Sequence, residues 1–296
     1  KLAKFAFCLT FLWAGLALAQ DDPDQTLKLP PQEVSRLQAV LAMPLDPNAL
    51  LTTQKELFQQ KDMAAWLLGD VELRLSILRE WVKIDPTIGW RLRNVLSNTP
   101  QRSEAYEIGH ALIKDGIFRR PSDVVRLRTE LALDYLQDGQ VQKAQTLLDE
   151  AENTIRKDFK QLDGTSSGPY WRLRAEMEFH HARAIFLSRK GKLPESIESA
   201  KLAVAKGKES FANDGPIGST QKVHGRHWYI KVLAALASQQ SAAGLYTDAD
   251  VALRQAYQFA KANGFSDEQL FGTYNAYADL RNAAGQFSEA SAYAAK

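Results

Sequence analysis

The chain has 296 residues, of which 37 are basic and 35 are acidic, and it contains one cysteine and five histidines. A charge balance this close to neutral argues against general nucleic-acid binding, which normally requires a basic surface. A chain of this length can bury enough surface to fold without disulfide bonds.

Residues 1–19 are predicted to be a bacterial-type secretory signal peptide. They are apolar apart from Lys1, Lys4 and Thr10, and they end in small residues before the polar Gln20. The apolar core at 5–16 is shorter than the roughly 20 residues of a spanning helix, although an uncleaved anchor is the alternative. Cleavage would remove the only cysteine and two lysines, which leaves equal numbers of basic and acidic residues. We therefore expect an exported protein, located in the bacterial periplasm or outside the cell.

Residues 20–31 are polar with three prolines and are predicted to form a linker. Over 32–120 apolar residues recur at helical spacing, which predicts an N-terminal helical region. One stripe, formed by Val71, Leu75, Leu78 and Val82, follows Gly69 and stops at an Asp-Pro sequence. This is typical of the second helix of a hairpin, but the helix before it lacks a small residue. We therefore predict a degenerate repeat here, and a short helix over 104–114.

Four segments within 121–296 share one pattern of small residues around a glycine. A small residue lies seven positions before the glycine, and an alanine or serine lies five positions after it. The four sets are Ala132, Gly139 and Ala144; Ala184, Gly191 and Ser196; Ala237, Gly244 and Ala249; and Ala278, Gly285 and Ala290. Small residues at these offsets let two antiparallel helices approach closely across a glycine turn, so we predict an all-α array of helix hairpins.

This pattern resembles the tetratricopeptide repeat (TPR), and the chain looks like an exported bacterial TPR protein. The resemblance covers about 121–296 and implies a right-handed α-solenoid of antiparallel helix pairs, which mostly binds other proteins. No copy has the tryptophan of the family, and the glycines are 52, 53 and 41 residues apart, whereas the family period is about 34. Because the fourth copy stops within a helix and no polar cap follows it, we expect a fragment of a longer protein.

In the TPR family the first helix of each pair lines a concave groove that holds an extended peptide or a partner helix. Carried over by offset from each glycine, the resemblance implies ten partner-binding residues on that concave face. They are Arg126, Thr129, Glu178, His181, Lys231, Ser238, Ser241, Asn275, Asp279 and Asn282. The last three share one helix face and are suited to hydrogen-bond a peptide backbone. The alternative is that they are solvated polar residues of an exposed helix.

No motif predicts catalysis. The sequence has no phosphate-binding glycine loop, no Gly-x-Ser-x-Gly, no His-Glu-x-x-His, and no cysteine after the predicted signal. The adjacent His180 and His181 diverge by about 100° on a helix, so they cannot both bind one metal. A zinc site formed with His224 and His227 between helices is a weaker alternative. We expect no enzyme activity, no cofactor and no bound metal.

The sequence thus predicts an exported, non-catalytic scaffold that binds a protein or peptide, without nucleic acid and without membrane contact beyond the N-terminal segment. A second hypothesis belongs to another class. In it, this chain is the sensory or substrate-recruiting N-terminal region of a longer enzyme or signalling protein, for example one with a caspase-like peptidase domain beyond Lys296.

Overall fold

The computed structural model describes residues 29–159, 167–215, 217–266, 270–286, 289, 290 and 292. The predicted signal peptide at 1–19 and most of the predicted linker at 20–31 lie outside these residues. All regular structure in the described ranges is helical, which confirms the all-α prediction. The chain divides into two compact units between Arg119 and Arg120, whereas the sequence pattern placed the start of the array at 121.

In the part of the N-terminal unit that the structure describes, from residue 29 onward, there are five α-helices, and each packs against its neighbour in sequence. They are α1 (Pro31–Ala42), α2 (Leu51–Leu67), α3 (Val71–Ile84), α4 (Gly89–Leu96) and α5 (Arg102–Lys114). Helix α3 begins where the Asp70 side chain accepts a hydrogen bond from the Leu73 amide at 2.9 Å, which satisfies an amide without an intrahelical partner. It ends before Pro86, as the Asp-Pro sequence predicts. Of its predicted apolar stripe, Leu75 and Leu78 are fully buried in the core of the unit and Val82 packs against that core, whereas Val71 in the first turn is exposed.

The α2–α3 hairpin has charged residues where the other hairpins have small ones. Asp62 lies seven positions before Gly69, and Arg74 lies five positions after it. The Asp62 side chain is fully buried, and Arg74 Nε donates to its Oδ1 at 2.8 Å. Arg91 of α4 lies 2.8 Å from the other carboxylate oxygen. The predicted degenerate repeat is therefore closed by a buried ion pair at the crossing of its two helices.

The C-terminal unit is a series of helix hairpins. The described helices are α6 (Pro121–Gln137), α7 (Val141–Asp158), α8 (Gly168–Arg189), α9 (Leu193–Ala212), α10 (Ser219–Ala242), α11 (Tyr246–Ala262) and α12 (Phe271–Ala283). Gly139, Gly191, Gly244 and Gly285 follow the ends of α6, α8, α10 and α12 with φ between 72° and 76°. Glycine adopts this left-handed conformation without steric cost, so the prediction that these glycines lie at the bends is confirmed.

The small residues of the pattern lie where the two helices of a hairpin cross. Ala132 and Ala144 are completely buried in the first hairpin, and Ala249 is completely buried in the third. In the second hairpin Ser196 takes this position, and its hydroxyl donates to the Ala184 carbonyl at 2.7 Å. Because that bond satisfies the buried hydroxyl, a serine is tolerated at a crossing that is otherwise alanine.

The first helices of the hairpins form one layer. Helix α6 packs against α8, α8 against α10, and α10 against α12, whereas α7, α9 and α11 pack mainly against the first helices on either side. A core runs through this stack, and Leu253 of α11 and Leu280 of α12 belong to the same buried cluster. Among the described helices, none combines the length and the apolar content needed to cross a membrane.

Candidate protein-interaction surface

The layer formed by α6, α8, α10 and α12 presents a surface that we call the inner surface. These first helices contact one another in series, whereas each described second helix contacts the first helices on either side of it. Stacked repeats generally present a continuous face of this kind to their partners.

The ten sequence-predicted residues differ in how far they reach solvent. Ser238 on α10, and Asn275, Asp279 and Asn282 on α12, are exposed, while Lys231 and Ser241 on α10 are half-buried. On α6 and α8, by contrast, Thr129 and Glu178 are buried, and Arg126 and His181 are half-buried. The expectation that all ten side chains face a partner is therefore corrected for Thr129 and Glu178. Whether the other eight bind a partner stays a prediction.

Glu178 is buried because two arginines bracket its carboxylate. Arg126 of α6 donates from Nε to Oε2 at 2.9 Å, and Arg174 of α8 donates from Nε to Oε1 at 2.9 Å. Burial alone would raise the pKa of Glu178, but the two positive charges outweigh burial and hold that pKa below its ordinary value. Arg126 and Glu178, which the sequence predicted to contact a partner protein, therefore form an ion pair with each other.

Arg174 extends this cluster to α10. Its Nη1 donates to the Tyr170 hydroxyl at 3.3 Å and to the Gln221 carbonyl at 3.4 Å, and the Tyr170 hydroxyl donates to that carbonyl at 3.0 Å. A Cβ added to Gly225 would lie 2.6 Å from the Tyr170 oxygen, so only glycine lets α10 approach this closely. We call Arg126, Tyr170, Arg174 and Glu178 the Glu178 cluster. It ties α6, α8 and α10 together.

Trp228 of α10 packs one side against the buried cluster of Met177, Ala203 and Val232, and it also makes contacts between α8 and α10 that the sequence did not predict. His181 of α8 meets the Trp228 ring edge-on at 5.9 Å between centroids, and the Lys231 ammonium lies 5.6 Å from that ring. Trp228 is half-buried. The sequence did contain a signal for this. Trp228 lies three residues before Lys231, so the two share one face of the helix, the face predicted to line the groove.

At the other end of the array, α12 exposes a polar face. Asn275, Asp279 and Asn282 recur one and two turns apart and are all exposed. Arg281 is held elsewhere, because its Nη2 donates to Asp250 of α11 at 2.7 Å. That bond ties α12 to α11.

The zinc site considered from the sequence is not formed in the described parts of the chain. No three histidine, cysteine or acidic side chains among those residues are close enough to hold a metal ion. Of the histidines involved, His181 contacts Trp228, and His227 stacks on Phe265 with ring centroids 6.3 Å apart.

No protein-family model matches the chain, and no curated protein matches it. Among solved structures, similar chains include a Podosopora anserina putative kinesin light chain described as having nearly identical TPR-like repeats, and a variant of it in which a glutamine is replaced by methionine. The variant has 20% identity and a TM-score of 0.45, and the match covers 78% of this chain and 98% of that chain. The other structure has 20% identity and a TM-score of 0.43, and the match covers 77% of this chain and 97% of that chain. At TM-scores this low the likeness adds no argument beyond the hairpin geometry described above.

Proposed function

We propose that this chain is a non-catalytic scaffold that binds an extended peptide or a helix of a partner protein along its inner surface. The observation that supports this most strongly is the single layer of first helices, whose α10 and α12 portion exposes a polar face. An array of the TPR type, with the right-handed twist that the sequence resemblance implies, is the architecture that we propose for it.

The chemistry of the exposed face suits a peptide backbone. A backbone offers one N–H donor and one carbonyl acceptor at each residue, and an asparagine side chain offers both kinds of partner. Asn275 and Asn282 lie two turns apart on α12, with Asp279 between them and Ser238 on the neighbouring helix. The Glu178 cluster joins α6, α8 and α10, and such preorganisation limits the entropy lost when a partner docks.

The proposal is tested by placing a photo-crosslinking amino acid at Ser238 in the full chain, expressed in its source cells. We expect a protein adduct at this position, and we expect it to be lost when Asn275, Asp279 and Asn282 are all changed to alanine. A matched control changes the exposed Gln255 and Gln258 of α11 to alanine, and it should leave the adduct intact. An adduct of equal yield in all three backgrounds would remove the α12 face from the binding site.

We also propose that the chain is exported to the bacterial periplasm or beyond the cell. The support is the apolar sequence of residues 1–19, with its basic start and small residues at the end. N-terminal sequencing of the chain from a periplasmic fraction should begin at Gln20. The Leu12→Arg variant, with a charge in the apolar core, should stay in the cytoplasm. Equal distribution of both forms between the compartments would contradict export by this segment.

A further inference from the structure

Four of the five histidines lie on two neighbouring first helices of the array. His180 and His181 are on α8, and His224 and His227 are on α10, while His110 belongs to the N-terminal unit. We call the contact between α8 and α10 the α8–α10 joint. The histidines that face this joint from each side are His181 and His224, and their surroundings decide what it can do.

His224 lies beside the Glu178 cluster. The charged groups that act on it are Arg126 of α6, Arg174 and Glu178 of α8, and His227 of its own helix. Burial, followed by the charges of Arg174 and Arg126, lowers the pKa of His224 to about 3, against the opposing effect of Glu178. A proton on His224 would add a third cation to two arginines that share one buried carboxylate.

His181 lies on the opposite side of the joint, edge-on to Trp228 of α10. Burial and then Lys231 of α10 lower the pKa of His181 to about 4, while Glu178 opposes them. His180 points elsewhere, because the charges that act on it are Arg183, Lys206 and Glu152, from α8, α9 and α7. Protonation of His181 would therefore place a cation between α8 and the Lys231 side of α10.

The joint combines buried apolar packing, in which Met177 of α8 and Val232 of α10 share one cluster with Ala203 of α9, with a few polar and aromatic side-chain contacts. Tyr170 and Arg174 reach from α8 to the Gln221 carbonyl of α10, at 3.0 and 3.4 Å, and His181 meets Trp228. All three contacts lie beside His181 or His224. New positive charge at these two positions therefore acts directly on the polar and aromatic contacts between α8 and α10.

We propose that the α8–α10 joint is an acid-sensitive switch, in which protonation of His181 and His224 separates α8 from α10 and weakens partner binding on the inner surface. The weakening of binding rests on the proposed function, whereas the opening is a property of the free protein. In the open joint both imidazoles reach water and take up protons at their ordinary pKa, so acid favours the open form. The ratio of open to closed joint should rise by up to roughly tenfold per histidine for each pH unit below about 6.5, until the pH reaches the pKa of that histidine in the closed joint.

The test is hydrogen–deuterium exchange of the full chain at about pH 7 and about pH 5, a range in which an unperturbed histidine titrates, with rates corrected for the intrinsic pH dependence of exchange. We expect faster exchange at the lower pH in α10 and in the facing part of α8, with the α2–α3 hairpin unchanged. The double variant His181→Gln, His224→Gln should lose this acid response. His110→Gln, which removes the exposed histidine of α5, should keep it.

An acid response of the double variant equal to that of the unmodified chain would overturn the proposal. If the double variant fails to fold, an NMR titration of His181 and His224 in the unmodified chain replaces it. A joint that stays closed while both histidines are protonated would overturn the proposal. The Ser238 crosslink, measured at both pH values, separates the two proposals. If the joint opens at the lower pH but no crosslink forms at either pH, the binding function alone is refuted. If the joint stays closed and the crosslink has equal yield at both pH values, the switch alone is refuted.

Discussion

Each of the two units contains a buried carboxylate that is held between two arginines. Asp62 lies on the first helix of the α2–α3 hairpin, and Glu178 lies on the first helix of the α8–α9 hairpin. Burying a charge is costly, and in both cases each carboxylate oxygen has a cationic partner. Each carboxylate therefore specifies how its helices pack. In return, the stability of that packing depends on both arginines.

Glu178→Gln should destabilise the C-terminal unit by about 3 to 5 kcal/mol, because it removes the buried negative charge that Arg126 and Arg174 share. Urea unfolding followed by circular dichroism measures the change. Asp279→Asn makes the same chemical change at an exposed site and should alter the unfolding free energy by less than about 0.5 kcal/mol. Equal effects at the two positions would mean that the Glu178 cluster contributes no net stability.

The unfolding free energy should fall as the pH is lowered from neutrality. Folding lowers the pKa values of His180, His181 and His224 to about 4, 4 and 3. Below the unfolded value of about 6.5 the unfolded chain binds more protons than the folded chain, so stability is lost by up to about 1.4 kcal/mol per pH unit for each histidine. The loss is complete as the pH passes below the folded values. Urea unfolding free energies that stay constant between about pH 7 and pH 5 would contradict this.

At the scale of the helix, the hairpin turns depend on glycines in the left-handed conformation. Gly244 has φ of 76° between α10 and α11, and a Cβ at this position would meet nothing within 4 Å. The requirement for glycine is therefore conformational and has no contribution from crowding. Gly272, in the first turn of α12, has equal space but lies within a helix.

The same substitution should thus have opposite effects at these two glycines. Gly244→Ala should destabilise by about 1 to 2 kcal/mol, the cost of the left-handed conformation for an L-residue. Gly272→Ala should stabilise by up to about 1 kcal/mol, because alanine restricts the unfolded chain and favours helix. Thermal unfolding of the two variants beside the unmodified chain measures both. A loss of stability at position 272 as large as that at 244 would show that the glycine turn has no special role.

For the molecule as a whole, the C-terminal unit behaves as an array in which each hairpin contacts only its neighbours. The helices that pack together are those of one hairpin and of the next, and the described helices of more distant hairpins share no substantial contact. Stability in such an array is the sum of terms for each repeat and for each interface. Damage in one hairpin should therefore spread by one neighbour and no further.

Ala144→Leu overpacks the crossing of α6 and α7, which should cost about 1 to 3 kcal/mol. Hydrogen–deuterium exchange should accelerate in α6 and α7, less in α8, and not in α12. Ala249→Leu, at the crossing of α10 and α11, should give the reverse distribution. The control Ala262→Leu adds the same side chain at an exposed site of α11 and should change neither region. Uniform acceleration over the whole unit by Ala144→Leu would mean that the array unfolds as one body.

The sequence by itself determined the hairpins, because a hairpin depends on residues close together in the chain. Gly139 and the alanines at 132 and 144 span thirteen positions, and the turn, the crossing and the all-α class follow from them. Asp62 and Arg74 lie at the same offsets from Gly69, seven positions before it and five after it. Their pairing at the helix crossing could therefore also have been predicted from the pattern.

Only the tertiary structure decided which residues of the first helices reach solvent. Glu178 is buried because Arg126, 52 positions away in another hairpin, closes over it, and no local spacing carries that information. The meeting of His181 with Trp228, and of His224 with the Glu178 cluster, likewise depends on how α8 approaches α10. Helix period and turn chemistry act within a few residues, whereas exposure and charge environment depend on side chains that folding brings from distant parts of the chain.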